Sequence, residues 1–214
     1  MTIHEGPAKS GDFTGEGEWT PLLEDLLRGL VHAMNNRITA VSAFAEMPAL
    51  EVDDGQDSEM LRHEIHRLHA VSSLVGVLAS RTNDAEALEL GAVLDLALTI
   101  HSHHPRMRSL PCTGETTGAV LPVRVPRWAL LRLFLLLVDT AKRAGAAADV
   151  AAVTVRLSGD ERFVRARVTA MEPLGADAVR LAECCGGSLR LDGREVVLEL
   201  PSLIEVRRRE AAGG

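Results

Sequence analysis

The chain has 214 residues, 46% of them hydrophobic, enough for one large domain or two small ones with real cores. Its formal charge of −7, with no basic stripe and no interleaving of aromatic and basic residues, argues against nucleic acid or an anionic membrane as the main partner. The cysteines Cys112, Cys184 and Cys185 form no CxxC pair, so a reducing cytoplasm fits better than disulfides or structural zinc.

Residues 1–18 are rich in Gly, Ser, Thr and charge and read as a disordered leader, with no signal-peptide character. A helical pattern follows over 21–47, with Thr20-Pro21 as cap and first-turn proline. Leu23, Leu26, Leu27, Leu30, Met34, Ile38 and Val41 recur three and four apart, one face of an α-helix. His32 lies off that stripe, among Arg28, Gly29, Asn35 and Asn36. An imidazole there is exposed, and its neutral form offers a free ring nitrogen near neutral pH. The acidic stretch 51–58, with Gly55, suits a turn between helices. Over 58–80 a second stripe, Leu61, Ile65, Leu68, Val71, Leu74, Val75 and Leu78, predicts the other arm of an antiparallel hairpin. One hairpin cannot cover both stripes, so a second copy is expected to complete a four-helix bundle, giving a homodimer. His63, His66 and His69 sit three apart, and His101, His103 and His104 cluster later. Steps of three drift about 60° around a helix and converge poorly on one ion, so a solvated helix face is expected and no metal site is assigned.

From residue 84 the pattern changes. A short strand over 86–90 precedes a helix over 91–101 with Val93, Leu94, Leu96, Ala97 and Ile100 apolar. The Pro-, Gly- and Thr-rich stretch 106–125 reads as one or two edge strands. Pro126 opens a helix over 128–144 that should be the most buried in this half; its apolar run, 128–138, is interrupted by Arg132 and is shorter than the roughly 20 residues of a membrane span. Strands over 150–157 and 162–170 flank Ser158-Gly159-Asp160-Glu161 as a hairpin. A helix over 176–185 stops at Gly186-Gly187, and strands over 188–191 and 195–200 flank Asp192-Gly193. The run Arg207-Arg208-Arg209, followed by Glu210, reads as a solvated tail over 207–214. The fold class expected is α+β: a helical hairpin over 19–82, then an α/β sandwich over 83–206 with a mainly antiparallel sheet. A soluble, cytoplasmic protein is expected.

The stretch His32-Ala33-Met34-Asn35-Asn36-Arg37-Ile38-Thr39-Ala40-Val41 resembles the phosphoacceptor box of bacterial sensor histidine kinases, HELNNPLTAI. It departs at Ala33, where the family has an acid, and at Arg37, where it has proline. The segment from Leu130 to Lys142 resembles the helix of that family's Asn box, NLLxNAxK, and Cys185-Gly186-Gly187-Ser188-Leu189-Arg190-Leu191 through Leu198-Glu199-Leu200-Pro201 resembles its terminal HGGxLxV…LP hairpin. The resemblance covers nearly the whole chain after the leader. It implies a dimerisation and phosphoacceptor hairpin joined to an ATPase-like sandwich, closest in plan to dimeric histidine phosphotransferases.

The nucleotide machinery of that family is degraded here. Leu135 replaces the first Asn of the box, and Asp139, read as a buried or capping carboxylate, replaces the second. Thr169-Ala170-Met171-Glu172-Pro173 stands where a DxGxG turn is expected, and Leu174 leads directly into the last helix with no glycine-rich phosphate clasp. A triphosphate needs backbone amides, positive charge or a metal at its oxygens. ATP binding and autophosphorylation are therefore not expected. Ala33 agrees, since alanine can neither orient the imidazole nor accept its proton. A histidine of this kind can still exchange phosphate with the aspartyl phosphate of a receiver domain, which brings its own acidic pocket and Mg2+; no intrinsic cofactor is implied. The resemblance assigns His32 as phosphoacceptor, with Arg28, Asn35 and Arg37 framing the partner-binding surface. Arg37 should leave the helix straighter than proline would, and its charge suits the receiver's acidic pocket. The partner implied is the receiver domain of a response regulator or of a hybrid histidine kinase. The alternative reading is an inactive pseudo-histidine-kinase acting as a dimeric binding module, or a receiver phosphatase in which Asn36 positions water.

Overall fold

The computed structural model describes residues 17–46 and 56–212, so most of the expected leader and the turn between the two long helices lie outside the described residues. Helix α1 (Trp19–Glu46) and helix α2 (Gln56–Ala79) form the antiparallel hairpin. Strand β1 (Ala85–Leu88), helix α3 (Leu90–His101), strands β2 (Cys112–Thr117) and β3 (Val123–Pro126) and helix α4 (Arg127–Ala147) follow. Then come β4 (Val153–Gly159), β5 (Phe163–Thr169), α5 (Ala176–Cys184), β6 (Ser188–Asp192), β7 (Glu195–Pro201) and α6 (Leu203–Ala212). The expected α+β class, hairpin first and sandwich second, is what the chain adopts.

The main sheet has the order β2-β4-β5-β7-β6, antiparallel except for the parallel β2–β4 pair. Strand β2 is the expected edge strand, whereas β3 leaves that sheet and pairs with β1. Strict alternation sorts the two faces: Val155 and Leu157 on β4, and Val164, Ala166 and Val168 on β5, are buried. Between them Arg156, Arg165 and Arg167 point outward, and Arg165 binds Glu199 at 2.7 Å and Asp160 at 2.9 Å. Helices α3, α4 and α5 cover the inner face. Helix α4 is enclosed almost all round, as its unbroken apolar run requires, and Phe134, Leu133, Leu135 and Leu137 are fully buried. Left-handed backbone at Gly193 (φ 62°) turns the last hairpin, and at Gly186 (φ 66°) ends α5, both at the predicted places.

Several expectations need correction. The arginine-rich end is not a tail: residues 203–212 form α6, closed by Arg209–Glu205 at 3.0 Å and tied to the β4–β5 turn by Arg208–Glu161 at 3.1 Å. Local i,i+4 pairing of charges supplies the helical preference that an apolar-stripe reading overlooks. The arginines themselves stay exposed. Helix α1 begins before Thr20-Pro21, and residues 17–18 of the expected leader are ordered contacts. The two helical stripes are also unequally used. Leu22, Leu26 and Leu30 of α1 and Val71 and Leu78 of α2 are buried, because this end of the hairpin rests on the sandwich. Further along, Ile38, Met60 and Ile65 are about half exposed, at 46%, 51% and 48%.

That gradient gives opposite outcomes for two similar truncations. Leu26→Ala removes a fully buried side chain and should lower the free energy of unfolding by roughly 2–5 kcal/mol. Ile38→Ala should cost a monomer well under about 1 kcal/mol. Chemical denaturation of the two variants beside the parent measures both.

Candidate functional site

Helix α1 presents His32 to solvent, as its place off the leucine stripe requires. Asn36 lies one turn on, and its Nδ2 is 3.3 Å from His32 Nε2. With the amide as donor, Nε2 accepts and the ring proton sits on Nδ1, the tautomer that keeps a nucleophilic lone pair at the outer nitrogen. Asn35 is exposed beside them, and its backbone carbonyl accepts the Thr39 hydroxyl at 3.0 Å. These residues form one open polar patch.

Two of the three residues expected to frame a partner are already engaged. Arg37 donates to Glu64 of α2 at 2.9 Å, a bond across the hairpin, and Arg67 shares the same carboxylate at 3.3 Å. Its guanidinium therefore staples the two helices, where a free charge toward an acidic pocket was expected. The pairing holds the Glu64 carboxyl below its ordinary range, with the Arg37 hydrogen bond as main cause. Arg28 is 69% exposed at its side chain and pairs with Asp25 at 3.2 Å.

Below His32 the helix is welded to the sandwich. A Cβ on Gly29 would lie 1.8 Å from the backbone oxygen of His103, so only glycine allows this approach. One turn earlier Asp25 is buried; it accepts from Arg106 at 2.5 Å and lies 3.6 Å from His104 Nε2. The Arg106 hydrogen bond is the main reason its carboxyl stays below the ordinary range. At the base, the Trp19 N–H donates to Asp177 of α5 at 3.1 Å, and the Gly175 N–H donates to Glu18 at 2.7 Å. Each helix thus receives its N-terminal acceptor from the other. Arg132 of α4, buried to 7% exposure, lies 4.7 Å from the Trp19 ring and 5.2 Å from the Trp128 ring. Burial lowers its pKa to about 10, which still leaves it charged at neutral pH.

The second histidine group contradicts the solvated-face expectation. His63, His66 and His69 are exposed, but His101 and His104 are fully buried, and His103 is half-buried. The signal was available for His101, which lies four residues after Ala97 and seven after Leu94, on the apolar face of α3. His104 sits in the turn after the helix, where periodicity says nothing. Asp139, as expected, is a buried carboxylate, held between His101 Nε2 at 3.3 Å and Arg143 Nε at 2.5 Å. Burial pushes its pKa up, yet those two hydrogen bonds win and keep it low. Among the described residues no group of three or more His, Cys, Asp or Glu is arranged to hold a metal ion.

A groove of about 270 Å³ lies between α4 and the segment before α5, lined by Glu18, Thr140, Arg143, Met171, Glu172 and Leu174. Two of its side chains are carboxylates. Glu18 takes the amide at the start of α5, and the groove's Arg143 pairs through Nε with Asp139 while its side chain stays 52% exposed. A triphosphate needs free amides or cations at its oxygens.

No family model matches the chain, and no curated protein matches it. Solved structures do resemble it at low identity. Against the Acinetobacter baumannii histidine kinase AdeS the identity is 13% and the TM-score 0.43, covering 83% of this chain and 97% of that one. Histidine kinase ThkA, solved in complex with the response regulator TrrA, gives 16% and 0.42 over 86% of this chain and 63% of the other. A bacterial phosphotransferase gives 15% and 0.39 over 84% and 95%.

Gly29→Ala tests the weld. The added methyl group meets a backbone oxygen that no rotamer change can move, so it should cost about 1–3 kcal/mol or more despite alanine's better helix propensity. Gly76→Ala, with open space around its Cβ on α2, should be neutral or stabilising by up to about 1 kcal/mol in the same denaturation experiment.

Proposed function

We propose that the chain is a phosphorelay histidine phosphotransferase in which His32 carries the phosphoryl group between receiver-domain aspartates, without ATP-dependent autophosphorylation. The observation that carries this reading is the exposed His32, its outer nitrogen accepting from Asn36, on a helix fixed to the sandwich; the carboxylates Glu18 and Glu172 lining the groove support leaving ATP out of it. In the forward step the His32 Nε2 lone pair attacks phosphorus, the N–P bond forms, and the acyl–phosphate P–O bond breaks to release the receiver's carboxylate. The receiver contributes Mg2+ and its own pocket; this chain contributes an open approach and an exposed imidazole whose Nε2 faces outward beside Asn36. Before attack the Asn36 amide must leave Nε2, which its exposed position permits. Arg28 and Asn35 remain candidates for the docking rim, and Arg37 acts through the hairpin it staples. The partner is a response-regulator receiver, free or within a hybrid kinase, in the cytoplasm. Among the described residues no helix is long and apolar enough to cross a membrane.

A second copy covering Ile38, Met60 and Ile65 completes a four-helix bundle in this reading. Paired Ile38→Asp and Ile65→Asp substitutions should convert a dimer to a monomer in sedimentation, with the sandwich still folded.

Incubation with a phosphorylated receiver tests the assignment. Label should move to this chain and be lost completely in His32→Ala, while Arg28→Ala should weaken transfer by roughly 3- to 10-fold, as for an exposed charge at a rim. Accelerated loss of receiver phosphate that depends on Asn36 and not on His32 would instead identify a phosphatase. Binding without either outcome would identify a docking module.

A further inference from the structure

Beneath the hairpin, ionisable side chains from three parts of the chain meet out of reach of water: Asp25 of α1, His101 and His104 at the end of α3, and Asp139 of α4. The two imidazole rings stack with centroids 5.1 Å apart and planes 12° from parallel. His104 Nε2 lies 3.6 Å from Asp25 Oδ2 and 3.8 Å from Asp139 Oδ1. Its other nitrogen, Nδ1, accepts the backbone N–H groups of Arg106 and Met107, each at 3.2 Å. Two donors aimed at one nitrogen require a lone pair there, so the ring is neutral with its proton on Nε2. The same turn supplies the Arg106 side chain that binds Asp25 and the His103 carbonyl that receives Gly29. Residues 101–107 are thus the seat of α1, and His104 braces that seat from inside.

We propose that His104 is a proton-sensitive clasp: protonation at Nδ1 ejects the two backbone N–H groups, distorts the seat and releases α1 from the sandwich. Hairpin and sandwich are then one rigid unit at neutral pH and separate in acid. This property does not depend on the phosphotransfer assignment.

The charges facing the ring decide the direction. Asp25 and Asp139 favour an imidazolium, but each carboxylate is already met by cations or donors: Arg28 and Arg106 for the first, His101 and Arg143 for the second. Lys142 adds positive charge by donating to the Met107 carbonyl at 3.1 Å. Burial above all, then the neighbouring His101, outweigh the carboxylates and hold His104 below its ordinary value of 6.5. A ring held below that value takes its proton later in the clasped state than in the released one. The clasp is therefore at full strength above about pH 6.5 and weakens as the pH falls toward the lowered value.

The chain's two tryptophans report on this junction, because Trp19 and Trp128 flank Arg132 between α1 and α4. Tryptophan emission and far-UV circular dichroism are followed together from about pH 8 to about pH 5. Emission should shift to the red with a midpoint below 6.5 while the dichroism holds. In His104→Asn, whose side-chain oxygen can accept the same N–H groups but takes no proton, the emission change should vanish. His101→Asn, which removes the stacked ring, should move the midpoint upward and serves where the first variant fails to fold. No emission change in the parent, loss of dichroism at the same midpoint, or persistence of the transition in His104→Asn overturns the proposal. An unmoved midpoint in His101→Asn does the same.

Discussion

The docking of the first turns of α1 on the sandwich is the constraint on which the rest of the arrangement depends. A 28-residue helix is roughly 42 Å long, so without a seat at its base it would be a free lever. Two kinds of contact hold it. Leu22, Leu26 and Leu30 supply the non-directional part, burial worth roughly 1.5–3 kcal/mol for each large side chain. Directional contacts then choose one azimuth: Gly29 fits the His103 carbonyl, Asp25 meets Arg106, and Trp19 and Glu18 exchange N-terminal caps with α5. Rotating α1 by one residue, about 100°, would keep much of the apolar contact and lose every one of these partners. Burial supplies affinity between the parts, and the polar set supplies their geometry.

That division explains why so many charged groups sit at this junction. Removing a carboxylate such as Asp25 or Asp139 from water costs several kcal/mol, and a single ion pair seldom returns much more than that. Each of these acids therefore has more than one partner, and each arginine involved keeps its outer end wet: Arg106 is 69% exposed at the side chain and Arg143 52%. Arg132 is the exception. It is buried between indole faces, whose quadrupoles favour a cation when a carboxylate is absent. Net stability gained from the whole set is modest, and its value lies in excluding other orientations of the hairpin.

The architecture was legible in the sequence wherever a periodic signal existed. Leucines at helical spacing marked α1, Asp192-Gly193 and the 158–161 turn marked the hairpins, and position 32 was placed outside by lying off its stripe. The junction was illegible for a physical reason. Its contacts are polar and distant in sequence, such as Glu18 with Gly175 and Asp25 with Arg106, and a polar residue looks the same in sequence whether it meets water or a partner. Arg37 failed in the same way: its role depends on Glu64, 27 residues away across the hairpin. His101 was the missed opportunity, since its place on the apolar face of α3 already argued for burial. Helix α6 was overlooked because its stability comes from charge pairing and a short dock on the β3 edge, with no apolar stripe.

The sandwich has a large and well-filled core, and a groove beside α4 whose lining is mostly committed to contacts within the protein. Core and groove are under different physical control. Leu133, Phe134, Leu135 and Leu137 hold the layers together by volume and burial alone, whereas phosphate recognition needs particular amides and cations left free. Here the amide at the start of α5 caps onto Glu18, and Arg143 pairs with Asp139. The bond from the Gly175 amide to Glu18 thus ties the sandwich to the start of α1.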